Sequence, residues 1–274
     1  MSARDEILSS VKGTLARHDL WFPPHDARPL TRAERMTVTS GPTAPIDLAN
    51  RFGKELAALH GSYEVVSTVP GARMACVNRI MSWIDEEKSE RKGMALKTGQ
   101  EMELLGWRAE NLALDGIDEG LKAVGLRLIT PESVDTVEDR DAVRLIRYGI
   151  TGVEAAFAST GSMIMASSEP GANRIASLLP FRHLALIPFS KLYPTVEAWM
   201  AELRQFGNFA EWIRTHANLS LITGPSKSAD LEGNLTLGVH GPKFVHAILF
   251  DDIGGLGTAR PWDTDDLSDE EYNR

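Results

Sequence analysis

The residue types best suited to chemistry crowd into two stretches of the last third of the chain, Gly224-Pro225-Ser226-Lys227-Ser228-Ala229-Asp230 and Gly238-Val239-His240-Gly241-Pro242. Small hydroxyl residues, one lysine and close-approach glycines that follow a buried strand can form an anion pocket from backbone N–H groups. The same residues also fit two ordinary loops of an α/β domain, where Gly and Pro only set turn geometry. His240, between small residues, can donate to an anion or act as a general acid or base, and it can equally satisfy backbone groups in a turn. Asp230 and Glu232 can offset Lys227 or stabilise a helix N-terminus, and a catalytic role for either would need a shifted pKa. Asn173 and Arg174 follow Pro170-Gly171. The planar guanidinium suits bidentate capture of a carboxylate or phosphate, and a solvated arginine fits the same position. His246 alternates with apolar residues of a strand and reads as packing.

Several familiar devices are excluded. Lys227-Ser228 resembles the end of a phosphate-binding Walker loop, but Ser226 precedes the lysine in place of Gly and no upstream glycine has the required spacing. Gly254-Gly255-Leu256-Gly257 opens no helix, so it is no dinucleotide fingerprint. The seven histidines contain no H-E-x-x-H and no H-x-H, which argues against a built-in metal site. No nucleophile-elbow sequence appears. Cys76 is the single cysteine, so this chain can supply neither an internal disulfide nor the several thiolates of an iron–sulfur cluster.

These residues need a scaffold, and the chain has the length to build one. At 274 residues it can bury a sizeable core. The net charge of −9 is unevenly spread. From Asp251 onward eight acidic residues face only Arg260 and Arg274, leaving 27 basic and 30 acidic groups in the body. No face is basic, which disfavours nucleic-acid binding. The N-terminus lacks an apolar signal region and no run approaches the roughly 20 residues of a membrane span, so a cytoplasmic protein is expected.

Along the chain, Ile7, Leu8, Val11 and Leu15 share one helical face that should pack against something, and a Pro-rich connection follows from Pro23 to Pro45. Asp47–His60 reads as a helix with Leu48, Phe52, Leu56 and Leu59 on one stripe. Tyr63–Ser67 reads as a strand. Met74, Val77, Ile80, Met81 and Ile84 repeat at helical spacing through Glu87, and Gly93–Lys97 is the next strand candidate. Ile117–Val124 reads as a helix and Leu126–Thr130 as a strand. Val153–Ala158 and Ser162–Ala166 are antiparallel strands joined by the tight turn Ser159-Thr160-Gly161. Arg174–Leu179 is a brief helix and Leu184–Pro188 a buried strand. Pro194 is placed in the first turn of a helix whose buried side carries Val196, Trp199, Met200, Leu203 and Phe206. Leu219–Thr223 and Phe244–Phe250 are strands. The acidic end has too little apolar content to fold and is expected to be a disordered tail. Helix and strand alternating in this way indicate α/β layering.

Three segments together resemble the LUD domain of the lactate-utilisation protein C family. They are GITGVEAAFASTG (149–161), NRIASLLP (173–180), and ITGPSKSADLE (222–232) followed by GVHGP (238–242); Trp107–Leu114 with Gly116-Ile117 resembles the family's middle segment. The likeness runs from about Asp47 to Asp251. It leaves a helix and Pro-rich arm (1–46) and an acidic tail (252–274) outside a LUD-type domain (47–251).

The resemblance implies a layered, three-layer α/β domain with a mostly parallel central sheet, like the ribose-phosphate isomerase, glucosamine-phosphate deaminase and CoA-transferase group, whose ligands sit over strand-end loops. It implies an accessory role beside two iron–sulfur proteins in oxidising L-lactate to pyruvate, with no intrinsic cofactor, no bound metal, and the clusters held by the partners. It also implies that three loops converge on one pocket for a small anionic ligand. The candidate ligand-binding residues are then Thr160, Gly161, Ser162, Asn173, Arg174, Gly224, Ser226, Lys227, Ser228, Asp230, His240 and Gly241. One departure bears on chemistry. Many members read Ala-Glu-Thr-Gly where this chain has Ala158-Ser159-Thr160-Gly161, and a serine cannot replace a carboxylate. The alternatives are a self-sufficient enzyme acting on a sugar phosphate or acyl-CoA and a non-enzymatic regulatory module. The sequence leaves homo-oligomerisation open.

Overall fold

A computed structural model describes residues 3–15, 43–92, 100–167, 171–205, 212, 214, 216, 218–229 and 235–254. The expected strand at Gly93–Lys97, the body of the Pro-rich arm, Phe206, Asp230, Glu232 and the acidic tail beyond Gly254 lie outside the described residues. The chain divides into two compact units, one holding the helix Ala3–Leu15 and one running from Thr39 to Leu267. The helix forms as its periodicity predicts. Ile7 is 65% exposed, and Leu8 and Val11 are exposed too.

The larger unit is built on a six-stranded, wholly parallel sheet. Its strands are β1 (Ser62–Val66), β2 (Glu103–Gly106), β3 (Arg127–Ile129), β4 (Tyr148–Thr151), β7 (Arg182–Pro188) and β12 (Phe244–Phe250), in the spatial order β1-β12-β7-β4-β2-β3. The antiparallel strands form a separate four-stranded sheet, β8-β5-β6-β9, from Ala155–Phe157 (β5), Ser162–Ala166 (β6), Leu192–Tyr193 (β8) and Leu219–Ile222 (β9). A short hairpin pairs β10 (Lys227–Ala229) with β11 (Leu235–Leu237).

Side chains alternate across a strand, so the register assigns the two faces of the large sheet. Tyr148, Arg182 and His246 share one face, covered by the Val69–Glu90 helix, whose Glu87 carboxylate accepts from Arg182 Nε at 3.0 Å. His183 and Thr151 share the other. That face is covered by the Pro45–Ala58 helix, whose Gly53 lies against the Tyr63 ring, by the Ile175–Leu178 helix over Gly149, and by the four-stranded sheet, whose Met165 sulfur lies 3.6 Å from Thr151 Oγ1. All seven residues of β7 are buried, as in a strand covered on both faces, and from Leu184 to Pro188 it is a continuous apolar run. The four-stranded sheet has its own outer cluster, Ala155, Phe157, Ile164, Tyr193 and Trp199, under the Val196–Gln205 helix. The α/β class with a parallel central sheet is thus observed.

Local differences have local causes. Met74 is 67% exposed, and the buried stripe of its helix runs through Ala72, Cys76, Ile80, Trp83, Ile84 and Glu87. Pro194 precedes its helix, because Thr195 takes the capping position and accepts from Ala198 N at 3.3 Å. β9 is not a buried strand: it closes an edge of the small sheet and leaves Leu221 63% exposed. Lys227–Ala229, expected as loop, is strand, since it pairs with β11.

Candidate functional site

The turn after β5 and the loop after β9 lie side by side. β6 and β9 are antiparallel neighbours, with Met163 opposite Ile222, so Ser162 and Thr223 come together at the same end and their hydroxyls bond at 2.9 Å. Both loops lean on the C-terminal end of the Pro45–Ala58 helix. Gly161, at φ +63, leaves no room for a Cβ, which would stand 2.6 Å from Leu56 N. Gly224, at φ +75, has its Cβ position 3.0 Å from Leu59 Cβ. Glycine is required at both positions by the left-handed backbone and by the close approach.

The third loop joins through the backbone. Ser226 N donates to Pro242 O at 2.9 Å, and Gly238 N donates to Ser226 O at 2.9 Å. A Cβ on Gly241 would stand 3.2 Å from Ser226 Cβ. Leu59 lies a short turn before β1 and Pro242 just before β12, so this assembly sits at the amino ends of the parallel strands. Thr160, Lys227 and His240 are exposed there, Ser226 and Ser228 are half-buried, and Ser162 is buried. Such a group of hydroxyls, backbone N–H groups and one ammonium can hold an oxyanion.

Asn173 and Arg174 are placed elsewhere. Trp107 Nε1 donates to Asn173 O at 3.2 Å, and Arg108 N donates to Gly171 O at 2.9 Å, which docks this segment on the carboxyl end of β2. Asn173 Oδ1 accepts from Ile175 N at 3.0 Å, and the Arg174 side chain is exposed. The site residues named from sequence therefore fall into two groups, with Asp230 outside the described residues. Two participants had no sequence signal of their own: Thr223 is a hydroxyl beside a glycine, and Leu59 matters only because Gly224 leans on it. Ser159 N donates to Pro194 O at 3.0 Å, a backbone contact that leaves no carboxylate at this position.

Buried polar groups elsewhere are distinct from this assembly. Glu87 accepts from Arg147 Nε at 2.6 Å and from Arg182, while Arg182 also bonds Glu86 at 2.9 Å. Burial, then the Glu87 charge, pushes the Tyr148 hydroxyl up from its usual range. His183 Nε2 lies 2.9 Å from Thr151 Oγ1, and burial pushes its pKa down to about 4. Cys76 is buried and its thiol is pushed up by desolvation, which makes it a packing residue. Among the described residues no group of three or more His, Cys, Asp and Glu side chains is placed to hold a metal, and no helix is long and apolar enough to cross a membrane.

Several known proteins are similar to this chain in sequence. Lactate utilization protein C of Exiguobacterium sp. (strain ATCC BAA-1283 / AT1b) is 38% identical over 105 residues, 38% of this chain and 44% of that one. The protein of the same name from Bacillus subtilis (strain 168) is 38% identical over 104 residues, 38% of this chain and 42% of that one. The one from Macrococcus caseolyticus (strain JCSC5402) is 31% identical over 150 residues, 55% and 62% respectively. The matches thus span between 42% and 62% of these relatives' lengths. Among solved structures, a DUF162 family protein from Deinococcus radiodurans is similar at a TM-score of 0.46 and 17% identity, covering 76% of this chain and 99% of that one. The LUD domain family matches residues 52–250, from the Pro45–Ala58 helix to the end of β12, and the chain belongs to that family.

Proposed function

We propose that this chain is an accessory component of a cytoplasmic lactate-utilisation system, in which iron–sulfur partner proteins carry electrons from L-lactate and this chain binds a small anion at the amino-end loops. The observation that carries the reading is the family match over 52–250 together with relatives named lactate utilization protein C. The loop assembly supports the anion: Thr160, Ser162, Thr223 and Ser226 supply hydroxyls and Lys227 an ammonium, on loops that Gly161 and Gly224 seat against the Pro45–Ala58 helix. The single cysteine supports the division of labour, because a buried, protonated Cys76 cannot ligate a cluster.

Deletion in the native host tests the role. Growth on lactate as sole carbon source should fail and return with the full chain, and affinity purification of the chain should recover iron-containing partners. Normal growth without the chain, together with recovery free of iron–sulfur protein, refutes the role. The binding surface is tested separately with Lys227→Ala. Stabilisation by a bound anion follows RT ln(1 + [L]/Kd), about 2.7 kcal/mol at a hundredfold excess over Kd. The variant should lose most of the thermal shift that L-lactate or phosphate gives the wild type.

A further inference from the structure

Beneath the Val69–Glu90 helix, on the face of the large sheet that carries Arg182, two buried polar atoms have no hydrogen-bond partner among the described residues: Arg79 Nε and His246 Nε2. Orphaned buried polar atoms are rare enough that each asks for a reason. Here they occur together. Trp83, one helical turn beyond Arg79, meets the His246 ring edge-on at 6.2 Å, and burial, then the Arg79 charge, pushes the imidazole pKa down to about 3. The other ring nitrogen, Nδ1, lies 2.7 Å from Ser62 Oγ on the neighbouring strand β1.

We infer that Arg79, His246 and Ser62 form a second anion site, for a small carboxylate, at the β1 edge of the sheet. Arg79 is half-buried and makes no ion pair among the described residues, whereas Arg91, Arg147 and Arg182 each hold a carboxylate. A partly desolvated guanidinium with no counter-ion favours an anion. Its Nε–H and a neighbouring Nη–H present two parallel donors that match the two oxygens of a carboxylate. When Ser62 Oγ–H donates to Nδ1, the neutral imidazole carries its proton on Nε2 and supplies a third donor. β1 is an edge strand and Ser62 is exposed, so the approach from solvent does not cross the sheet, and a ligand reaches the buried donor atoms once the half-buried Arg79 side chain moves. A bridging water would satisfy the same atoms but leave the Arg79 charge uncompensated.

This site is independent of the loop assembly, and the test separates them. The full chain is titrated with sodium acetate, and separately with inorganic phosphate, at constant ionic strength. The imidazole nitrogens are followed by 15N NMR, with His246 assigned from His246→Gln. Acetate should shift the His246 resonances saturably. Loss of a charge-assisted bond should weaken that binding about tenfold or more in Arg79→Gln. Arg79→Lys, which keeps the charge but not the fork, should also bind more weakly. Lys227→Ala should leave the His246 response unchanged even if the loop assembly binds nothing. No saturable shift in the wild type, equal affinity in Arg79→Gln, or a response to phosphate but not acetate overturns the assignment.

Discussion

Three glycines in one unit separate the cost of a left-handed backbone from the cost of a close approach. Gly125, at φ +79, has only the flexible Met102 Cε within reach of an added Cβ, at 3.8 Å. Gly224, at φ +75, adds a contact at 3.0 Å with Leu59 Cβ. Gly161, at φ +63, adds contacts at 2.6 and 3.0 Å with Leu56 N and the Glu55 carbonyl carbon, which no side-chain rotation relieves. The left-handed conformation costs an L-residue about 1–2 kcal/mol. Forcing atoms into a packed site costs roughly 1–3 kcal/mol more. Alanine at Gly125 should therefore cost about 1–2 kcal/mol. At Gly224 the sum should be about 2–3 kcal/mol, and at Gly161 it should approach about 5 kcal/mol. Urea denaturation, with midpoints compared at unchanged slope, measures the series. Equal losses within about 0.5 kcal/mol would show that the turn after β5 does not rest on the Pro45–Ala58 helix in the way described.

Further outcomes follow from the buried groups. Glu87→Gln breaks a buried network, but Glu86 keeps one bond to Arg182, so the loss should sit near the low end for such pairs, about 3 kcal/mol. An unchanged melting temperature would refute a structural role for the network. His183 titrates near 4 in the folded chain and near 6.5 when unfolded. As pH falls below about 6.5 the unfolded state takes up a proton that the folded state refuses, so stability drops by up to about 1.4 kcal/mol per pH unit until about pH 4. His183→Asn should flatten that slope in urea titrations between pH 7 and 4, and an identical slope would exclude His183 as its source. Cys76 should resist a thiol reagent in the native protein and react fully in denaturant, and fast native labelling would contradict its burial.

What the sequence revealed depended on whether a signal was local. The stripe Leu48, Phe52 and Leu56 announces a helix, and all three side chains are buried. The Ser159-Thr160-Gly161 turn announces a hairpin, and β5 and β6 pair. The largely apolar runs Leu184–Pro188 and Phe244–Phe250 announce strands, and in β7 and β12 they lie inside the large sheet. β2 (Glu103–Gly106) and β4 (Tyr148–Thr151) carry no strand signal of their own because four residues show no period, and pairing with neighbours far along the chain makes them strands. The candidate site shows the same division. Gly161 and Gly224 are conspicuous as residues, but their support on Leu56 and Leu59 depends on tertiary contact. Asn173 and Arg174 stand close in sequence to the other candidates, yet Trp107 fixes them at the opposite strand ends. His246 does alternate with core residues, as packing requires, and only the register with Ser62 shows what its imidazole touches.

The order of the large sheet also governs assembly. Among the described residues β1 pairs with the sheet only through β12, although nearly 180 residues of chain separate Val66 from Phe244. While a nascent chain is still short of β12, β1 has no neighbour to pair with and one flank of β7 stays open. Closure of this sheet must wait for β12, a delay that leaves apolar edges available to chaperones or to self-association. Cutting the chain before Phe244 would release two strands from the sheet instead of one.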